Sequence, residues 1–199
     1  MKVGAVVLAA GKSERMGRNK LLTKIRGRTL IDRVLDVLME ARIDEVVIVL
    51  GHKPRELLEH LKAREGRYRV TINEDYERGM TSSFKVGLKL LRRTDACFLI
   101  LGDQLLLEAS LLKRMILKME HNQLQAHVVS PIYQGKKGHP VLFSHKLFED
   151  ILSSRKNEII RDVIHRHRSS LHLIRGNSWI TMDIDTLEDL EDAETMLDS

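Results

Sequence analysis

Residues 8–20 join a predicted buried strand to a loop of small and cationic residues. The apolar run Val3–Ala9 predicts a strand covered on both faces. Three small residues follow its last apolar side chains, so a ligand can approach the backbone closely: Ala9, Ala10 and Gly11. Four cations come next: Lys12, Arg15, Arg18 and Lys20. This combination suits phosphate binding, although an ordinary basic loop has the same composition.

Two common phosphate-binding patterns are absent from this loop. No Gly-Lys-Ser/Thr closes a six-residue glycine span, so the segment is not a Walker A loop. It also lacks Gly-x-Gly-x-x-Gly, the dinucleotide fingerprint. The residues alone leave phosphate binding and a plain basic loop open.

Composition limits the classes of protein. At 199 residues, with 43% hydrophobic and 31% charged residues, the chain predicts a single globular domain. A net charge of +5 with only 4% aromatic residues favours a polyanionic small molecule over nucleic acid. No apolar segment is long enough to span a bilayer. The single cysteine, Cys97, lies in an apolar run and predicts a core residue in a cytoplasmic protein.

The first half alternates strands and helices. Strands are predicted at 45–51, 68–72 and 97–101, and helices at 30–41 with Thr29 as N-cap, after Pro54, from Thr81 or Ser82 to Leu91, and at 109–121. This order indicates a Rossmann-like three-layer α/β fold with a mostly parallel sheet.

The second half predicts a hairpin of strands 126–133 and 139–143 around a turn at 134–138. Helices at 146–152 and 157–167, strands at 171–174 and 179–182, and a last helix capped by Thr186 complete the plan. His165 and His167 are two apart on a helix, so they would not share one metal ion.

Polar residues at element ends are candidate ligands. Ser82 and Ser83 open a helix, where they either cap it or face a nucleotide. Asp103 follows the strand 97–101, where it either caps the next helix or anchors Mg²⁺ beside a triphosphate. Asp183 and Asp185 precede the last helix and carry the same two interpretations.

Several of these segments resemble the sugar-nucleotide and molybdopterin nucleotidyltransferases. Residues 8–20 resemble the signature Leu-x-(Ala/Gly)-Gly-x-(Ser/Ala)-x-Arg-Met-Gly-x-x-Lys, and residues 73–84 resemble Asn-x-x-(Tyr/Trp)-x-x-Gly-Met-x-x-Ser. Residues 102–104 resemble Gly-Asp-Gln-Pro, with Leu105 in place of proline. Residues 138–140 resemble Gly-His-Pro, and 183–190 resemble (Asn/Asp)-Ile-Asp-Thr-Pro-Glu-Asp-Leu, with Leu187 in place of proline.

The resemblance implies roles for these positions. Arg15, Lys20 and Asp103 would be catalytic, and Asp103 would bind Mg²⁺ together with Asp183 or Asp185. The nucleotide would contact Leu8, Ala9, Ala10, Gly11, Lys12, Ser13, Arg15, Lys20, Gly79, Ser82, Ser83 and Asp103. Gly138, His139 and Pro140 would lie on the side of the second substrate, although His139 alone would be an ordinary hairpin residue.

Within the family, Ala9-Ala10-Gly11 and Gly102-Asp103-Gln104 resemble the cytidylyl branch. The implied reaction joins CTP and molybdenum-bound molybdopterin to give the cytosine dinucleotide cofactor and pyrophosphate. Residues 1–105 would form the NTP-binding half and 106–199 the second-substrate half, with a molybdenum hydroxylase or its chaperone as a transient partner. The alternatives are a guanylyltransferase, a sugar- or isoprenoid-phosphate nucleotidyltransferase, and a non-catalytic cofactor-binding accessory protein.

Overall fold

The computed structural model describes residues 1–12, 19–64, 66–122, 125–155, 158–182, 188–189 and 194 of the chain. Ten strands occur in them: β1 Val3–Ala9, β2 Lys24–Ile25, β3 Arg28–Thr29, β4 Glu45–Leu50, β5 Arg69–Ile72, β6 Ala96–Leu101, β7 Val128–Tyr133, β8 Lys136–Lys137, β9 Val141–Ser144 and β10 Leu171–Arg175. Six α-helices accompany these strands within the same ranges: α1 Leu30–Glu40, α2 Arg55–Ala63, α3 Met80–Leu90, α4 Ala109–His121, α5 Phe148–Ser153 and α6 Ile160–Arg166.

The main sheet is mostly parallel, as predicted. Its strand order is β10-β7-β9-β6-β1-β4-β5, and β8 pairs with the end of β7. β1 lies between β4 and β6 and is parallel to both. Two of the described strands run antiparallel to their partners: β9 to both of its neighbours, β6 and β7, and the short β8 to β7. The strands of the two predicted halves therefore share one sheet.

Helices cover both faces of this sheet, which confirms the three-layer α/β architecture. β1 contributes side chains to the hydrophobic cores on both faces of the sheet, because successive side chains of a strand point to opposite faces. Val3, Ala5 and Val7 pack in the core under α1, α2 and α4. Val6 packs in the opposite core with α3, α5 and α6. Both faces of the strand are buried, as its apolar run predicts.

Most predicted helix positions are confirmed, but one cap is wrong. The side chain of Thr29 accepts a hydrogen bond from the Asp32 amide and caps α1 as expected. α3 starts one residue before Thr81, so Thr81 and Ser82 lie inside the helix and Gly79 is the N-cap. Gly79 has φ +91°, a conformation that glycine adopts without steric cost. The start of α3 is therefore set by the positive φ of Gly79, and its N-cap residue makes no side-chain hydrogen bond.

Two predictions in the second half are corrected. The predicted strand 179–182 is a 3₁₀ turn, Ser178–Thr181. The predicted antiparallel pairing of β9 with β7 is confirmed, but it involves the first residues of β7, and β9 also pairs with β6. The turn after β7 leads instead into β8, which pairs with the last residues of β7. The tight hairpin therefore involves Lys136–Lys137, and β9 is a separate strand in the sheet.

Cys97 is fully buried, and burial raises the pKa of its thiol, which confirms the core assignment.

Of the two histidines at the end of α6, His167 contacts a carboxylate: its Nε2 lies 2.7 Å from Oδ2 of Asp150. Within the described ranges, no helix is both long enough and apolar enough to cross a membrane.

A charged network joins α1 to α2 on the outside of the sheet. Nε2 of His60 lies 3.1 Å from each carboxylate oxygen of Asp32, and Nη1 of Arg64 donates to the same group at 3.1 Å. Arg64 also donates to Asp36 at 2.7 Å. Burial by itself raises the pKa of the Asp32 carboxyl, but hydrogen bonds from Thr29 and His60 and the nearby positive charges leave that pKa below its ordinary value.

Candidate functional site

A cleft of about 520 Å³ opens at the carboxyl ends of β1 and β6, the edge at which parallel sheets bind ligands. Its volume is in the range of small-molecule sites. The described residues that line it are Leu8, Ala9, Ala10, Gly11, Lys12, Lys20, Leu21, Tyr76, Glu77, Gly79, Met80, Ser83, Leu101 and Asp103. Nine of the predicted nucleotide-binding residues are in this set: Leu8, Ala9, Ala10, Gly11, Lys12, Lys20, Gly79, Ser83 and Asp103.

Glycines shape the floor of the cleft in two different ways. A Cβ at Gly51, just after β4, would lie 2.7 Å from the Cβ of Ala10 and 2.6 Å from that of Tyr76. Gly51 therefore allows the chain after β1 to pack closely against its neighbours. A Cβ at Gly11 would meet no atom of the described part of the chain within 4 Å. The space beside Gly11 belongs to the cleft, as the small-residue pattern predicts.

Lys20 and Asp103 meet inside the cleft. Lys20 begins a 3₁₀ turn, Lys20–Leu22, which Asn19 caps by accepting a hydrogen bond from the Leu21 amide. Asp103 follows β6. Nζ of Lys20 lies 2.5 Å from Oδ2 of Asp103, and both side chains are mostly buried. The structure thus brings together the predicted phosphate-binding lysine and the predicted metal-binding carboxylate.

The turn after Asp103 is held by packing, although it lacks the proline of the related motif. Leu105 is buried in a small cluster with Ile25 and Leu30. The amide of Leu105 donates to the carbonyl of Asp103 at 2.8 Å. The leucine therefore anchors the turn by apolar contact, and the carboxylate stays in the cleft.

The two serines of α3 point in different directions. Ser83 is buried, lines the cleft, and accepts a hydrogen bond from Nδ2 of Asn73 at 3.0 Å. The hydroxyl of Ser82 donates to the carbonyl oxygens of Gly79 and Asp75. Ser82 lines a separate, smaller cavity on the far side of α3. The structure therefore places Ser83, but not Ser82, in the candidate nucleotide site.

An ion pair and an aromatic contact lie at the mouth of the cleft. Lys12 meets Glu77 at 3.0 Å, and Nδ1 of His52 lies 3.0 Å from the hydroxyl of Tyr76. Tyr76 and Met80 were not predicted as lining residues, although the motif at 73–84 includes both positions. Glu77 and Leu21 also line the cleft, but no motif specifies the residue at either position. Their place in the cleft depends on contacts between segments that are distant in sequence.

The predicted metal site lies only partly in the described residues. In those residues no group of three or more His, Cys, Asp and Glu side chains could hold a metal ion. Asp183 and Asp185 lie outside them, as do the predicted nucleotide ligands Ser13 and Arg15. Asp103 offers a hard carboxylate oxygen within the cleft. This donor fits Mg²⁺, which commonly binds one or two protein carboxylates together with substrate phosphates.

The segment 138–140 lies beside a different crevice. A Cβ at Gly138 would be 2.0 Å from the carbonyl oxygen of Ile180, so this glycine packs on the 3₁₀ turn and does not offer its Cα to a ligand. The amide of His139 donates to the same carbonyl at 2.9 Å. Pro140 is buried, and the peptide bond before it is cis. Only the ring of His139 remains available for contact with a substrate.

The ring of His139 is close enough to Asp103 to be affected by its charge. Burial lowers the pKa of the His139 imidazole, and the negative charge of Asp103 acts in the opposite direction. The net pKa of the imidazole lies below its ordinary value, because the effect of burial is the larger of the two. Nδ1 of His139 is buried and has no hydrogen-bond partner in the described residues.

Known proteins of similar sequence fall into several named activities. A molybdenum cofactor cytidylyltransferase of Escherichia coli is 25% identical over 94% of this chain and 93% of its own length. A nicotine blue oxidoreductase of Paenarthrobacter nicotinovorans is 28% identical over 94% of each chain. A bifunctional IPC transferase and DIPP synthase of Rubrobacter xylanophilus is 41% identical over 45% of this chain, but the match spans only 21% of that protein.

Solved structures agree on the fold. The Rv0371c protein of Mycobacterium tuberculosis is 27% identical, with a TM-score of 0.82 over 98% of this chain and 97% of its own. A nucleotidyl transferase from Methanothermobacter is 22% identical and superposes with a TM-score of 0.80, over 98% of this chain and 96% of its own. The family model of the MobA-like NTP transferase domain matches residues 5–171. That match includes β1, the cleft, β6 and the 138–140 segment, and the chain therefore belongs to the MobA-like NTP transferase family of nucleotidyltransferases.

Proposed function

We propose that the protein transfers CMP from CTP to molybdenum-bound molybdopterin, giving molybdopterin cytosine dinucleotide and pyrophosphate. The observation that carries the transferase chemistry is the Lys20–Asp103 contact inside the glycine-loop cleft. A cation for phosphate oxygens and a hard oxygen ligand for a metal are the two groups that an NTP requires, and here they are adjacent.

In the proposed reaction a terminal phosphate oxygen of the pterin attacks the α-phosphorus of CTP. The bond from the α-phosphorus to its bridging oxygen breaks, and pyrophosphate leaves with that oxygen. No covalent enzyme intermediate is needed, because the protein positions the groups and offsets their charge. Lys20 and Arg15 would hold the triphosphate, and Lys20 can exchange the Asp103 carboxylate for a phosphate oxygen.

Magnesium is part of this proposal. Asp103 would hold it together with Asp183 or Asp185, and the ion would neutralise phosphate charge where the two substrates meet. Because Lys20 and Asp103 neutralise each other in the structure, binding of Mg²⁺–NTP would separate them. Each would then keep an oppositely charged neighbour.

The choice of CTP depends on the Ala9-Ala10 pair, on residues 102–104, and on the full-length similarity to the E. coli cytidylyltransferase. A transient complex with a molybdenum hydroxylase belongs to the same proposal. The similarity to the nicotine blue oxidoreductase raises a competing possibility, a redox enzyme, and the test must therefore distinguish nucleotidyl transfer from a redox reaction.

The deciding experiment incubates the protein with molybdenum cofactor, Mg²⁺ and each NTP in turn, and identifies the product by mass. The expected product is the cytosine dinucleotide, with one pyrophosphate per dinucleotide. A product from GTP alone would assign the guanylyl branch. Pyrophosphate release only with a sugar or isoprenoid phosphate would assign another member of the fold. No release with any NTP, with or without a redox reaction, would refute the proposal.

A further inference from the structure

Two buried polar atoms without partners face the same crevice beside the 138–140 segment. Within the described residues, neither Nδ1 of His139 nor Oδ1 of Asn177 has a hydrogen-bond partner. Both residues line one small cavity between the start of α4 and the 3₁₀ turn Ser178–Thr181. Its other lining residues are Gln104, Leu106, Leu107, Glu108, Leu111, Trp179 and Ile180.

Buried polar atoms in folded proteins are almost always hydrogen-bonded, so two unpaired atoms in one crevice indicate a missing group. The cavity between them has a volume of about 10 Å³. That volume admits one water-sized group and no more. The group that fits is a water molecule or a single hydroxyl, amino or ring N–H group that projects from a larger ligand.

The chemistry of this group is constrained by the contacts of Asn177. Its Nδ2 donates to Oε1 of Glu108 at 2.6 Å, so Oδ1 is the amide atom left without a partner in the described residues. Glu108 is held in turn by the hydroxyl of Ser110, which donates to Oε2 at 2.9 Å. An amide oxygen can only accept, so the occupant must be a hydrogen-bond donor.

The crevice adjoins an outer cavity. This cavity of about 150 Å³ shares Glu108, Leu111 and Asn177 with the crevice and is also lined by Arg114 and Arg175. A ligand that places one polar group in the crevice can therefore extend toward two cations.

We propose that His139 and Asn177 form a recognition subsite for the acceptor, in which Nδ1 and Oδ1 together bind one amino or hydroxyl group of a heterocycle beside the indole of Trp179. This inference rests on the proposed function, because it requires an acceptor in addition to the NTP. The sequence predicted that Gly138, His139 and Pro140 contact the second substrate. The proposed subsite keeps His139 from this segment and adds Asn177, which the sequence did not indicate.

Trp179 is the single tryptophan of the chain and provides a direct readout. The full-length protein is titrated with molybdenum cofactor, and separately with a free pterin, while tryptophan emission is recorded. Binding beside Trp179 is expected to quench the emission. Asn177→Leu and His139→Phe, which keep the approximate size of each side chain, are expected to weaken the acceptor affinity about tenfold each, the weight of one hydrogen bond.

The same variants must retain NTP affinity and the circular dichroism of the wild type, since the subsite does not line the nucleotide cleft. His172→Phe on β10 and Asn122→Leu after α4 are the matched controls, and both are expected to bind the acceptor like the wild type. Unchanged acceptor affinity in both test variants would show that the crevice holds a buried water only and would overturn the subsite. A parallel fall of acceptor and NTP affinities would also overturn it, by indicating a structural role.

The binding readout separates this inference from the proposed function. If no NTP yields product but the pterin quenches Trp179 in a manner that requires Asn177, the subsite stands and the proposed reaction is wrong. If product forms from CTP but Asn177→Leu leaves the acceptor KM unchanged, the reaction stands and the subsite is wrong.

Discussion

Asp103 in the cleft and Asp32 on α1 are both partly buried aspartates paired with a cation, yet their surroundings differ. Both carboxylate oxygens of Asp32 contact His60, and Arg64 donates to one of them; these partners belong to α2 and the residue that ends it. Within the described residues, the carboxylate of Asp103 contacts one side chain, that of Lys20. Asp103 also borders the cleft of about 520 Å³.

The difference separates a structural carboxylate from one that is available to a ligand. Around Asp32, several partners on rigid elements satisfy the charge, and an incoming molecule would have to displace them. Among the described residues, Asp103 contacts the ammonium of Lys20, and an incoming metal ion or phosphate can replace one member of this pair. The comparison predicts that changes at Lys20 affect turnover, whereas changes at Asp32 affect folding.

The largest expected effect is that of Lys20→Ala. Loss of one charge contact to the transition state should reduce kcat by roughly two to three decades. The free energy of unfolding should change little, because the Asp103 carboxylate that loses its partner borders the open cleft, where water can solvate it. Pyrophosphate release under saturating substrates is the measurement.

Lys24→Ala is the matched control for Lys20→Ala, since Lys24 is exposed on β2 and does not line the cleft. It should keep wild-type turnover. A wild-type kcat in Lys20→Ala would show that this lysine has no part in the reaction. It would also contradict the proposed difference between Asp103, as a ligand-binding carboxylate, and Asp32, as a structural one.

The second prediction concerns Asp32→Asn. The change leaves the mostly buried Arg64 with less compensating charge, so we expect a loss of about 2 kcal/mol in the free energy of unfolding. Urea denaturation should show a lower midpoint with an unchanged m value. Turnover per folded molecule should equal that of the wild type; a large loss of kcat at full folding would contradict the structural role.

Local patterns in the sequence predicted much of this architecture. The apolar runs of β1, β4 and β6 and the periodicity of α1 and α4 correspond to the elements found, because a buried strand or an amphipathic helix records its environment in consecutive residues. The antiparallel pairing of β9 with β7 was predicted, but its second pairing, with β6, was not. Strand order depends on contacts between distant segments, for which periodicity gives no signal.

The candidate site shows the same limit. The small residues around Gly11 and the carboxylate of Asp103 could be found from motif and position, and the structure places them together. Asn177 could not, since its significance arises from an unpaired oxygen that only tertiary packing creates. Likewise, Ser82 and Ser83 look equivalent in sequence, and only the orientation of α3 separates them.

A third prediction contrasts two glycines near the cleft. Gly51→Ala places a Cβ against the backbone oxygen of Ala10 at 2.8 Å and should lower the free energy of unfolding by about 1 to 2 kcal/mol. A Cβ at Gly11 meets no atom of the described residues, so the stability of Gly11→Ala should stay near the wild type while its NTP affinity falls. Thermal unfolding and NTP titration of both variants test the contrast, and equal destabilisation by the two changes would contradict it.

The smallest expected effect is the pH dependence of the Asp32 contribution. Because the pKa of the Asp32 carboxyl is lower in the folded chain than in the unfolded chain, the stabilisation is complete above the unfolded value and is lost as the pH falls through the folded value. The difference in unfolding free energy between the wild type and Asp32→Asn should therefore shrink as the pH falls below about 4. Urea titrations at several pH values measure this difference. A gap that widens on acidification would mean that the protonated Asp32 is the form that the network stabilises, and the contrast with Asp103 would then lose its basis in charge.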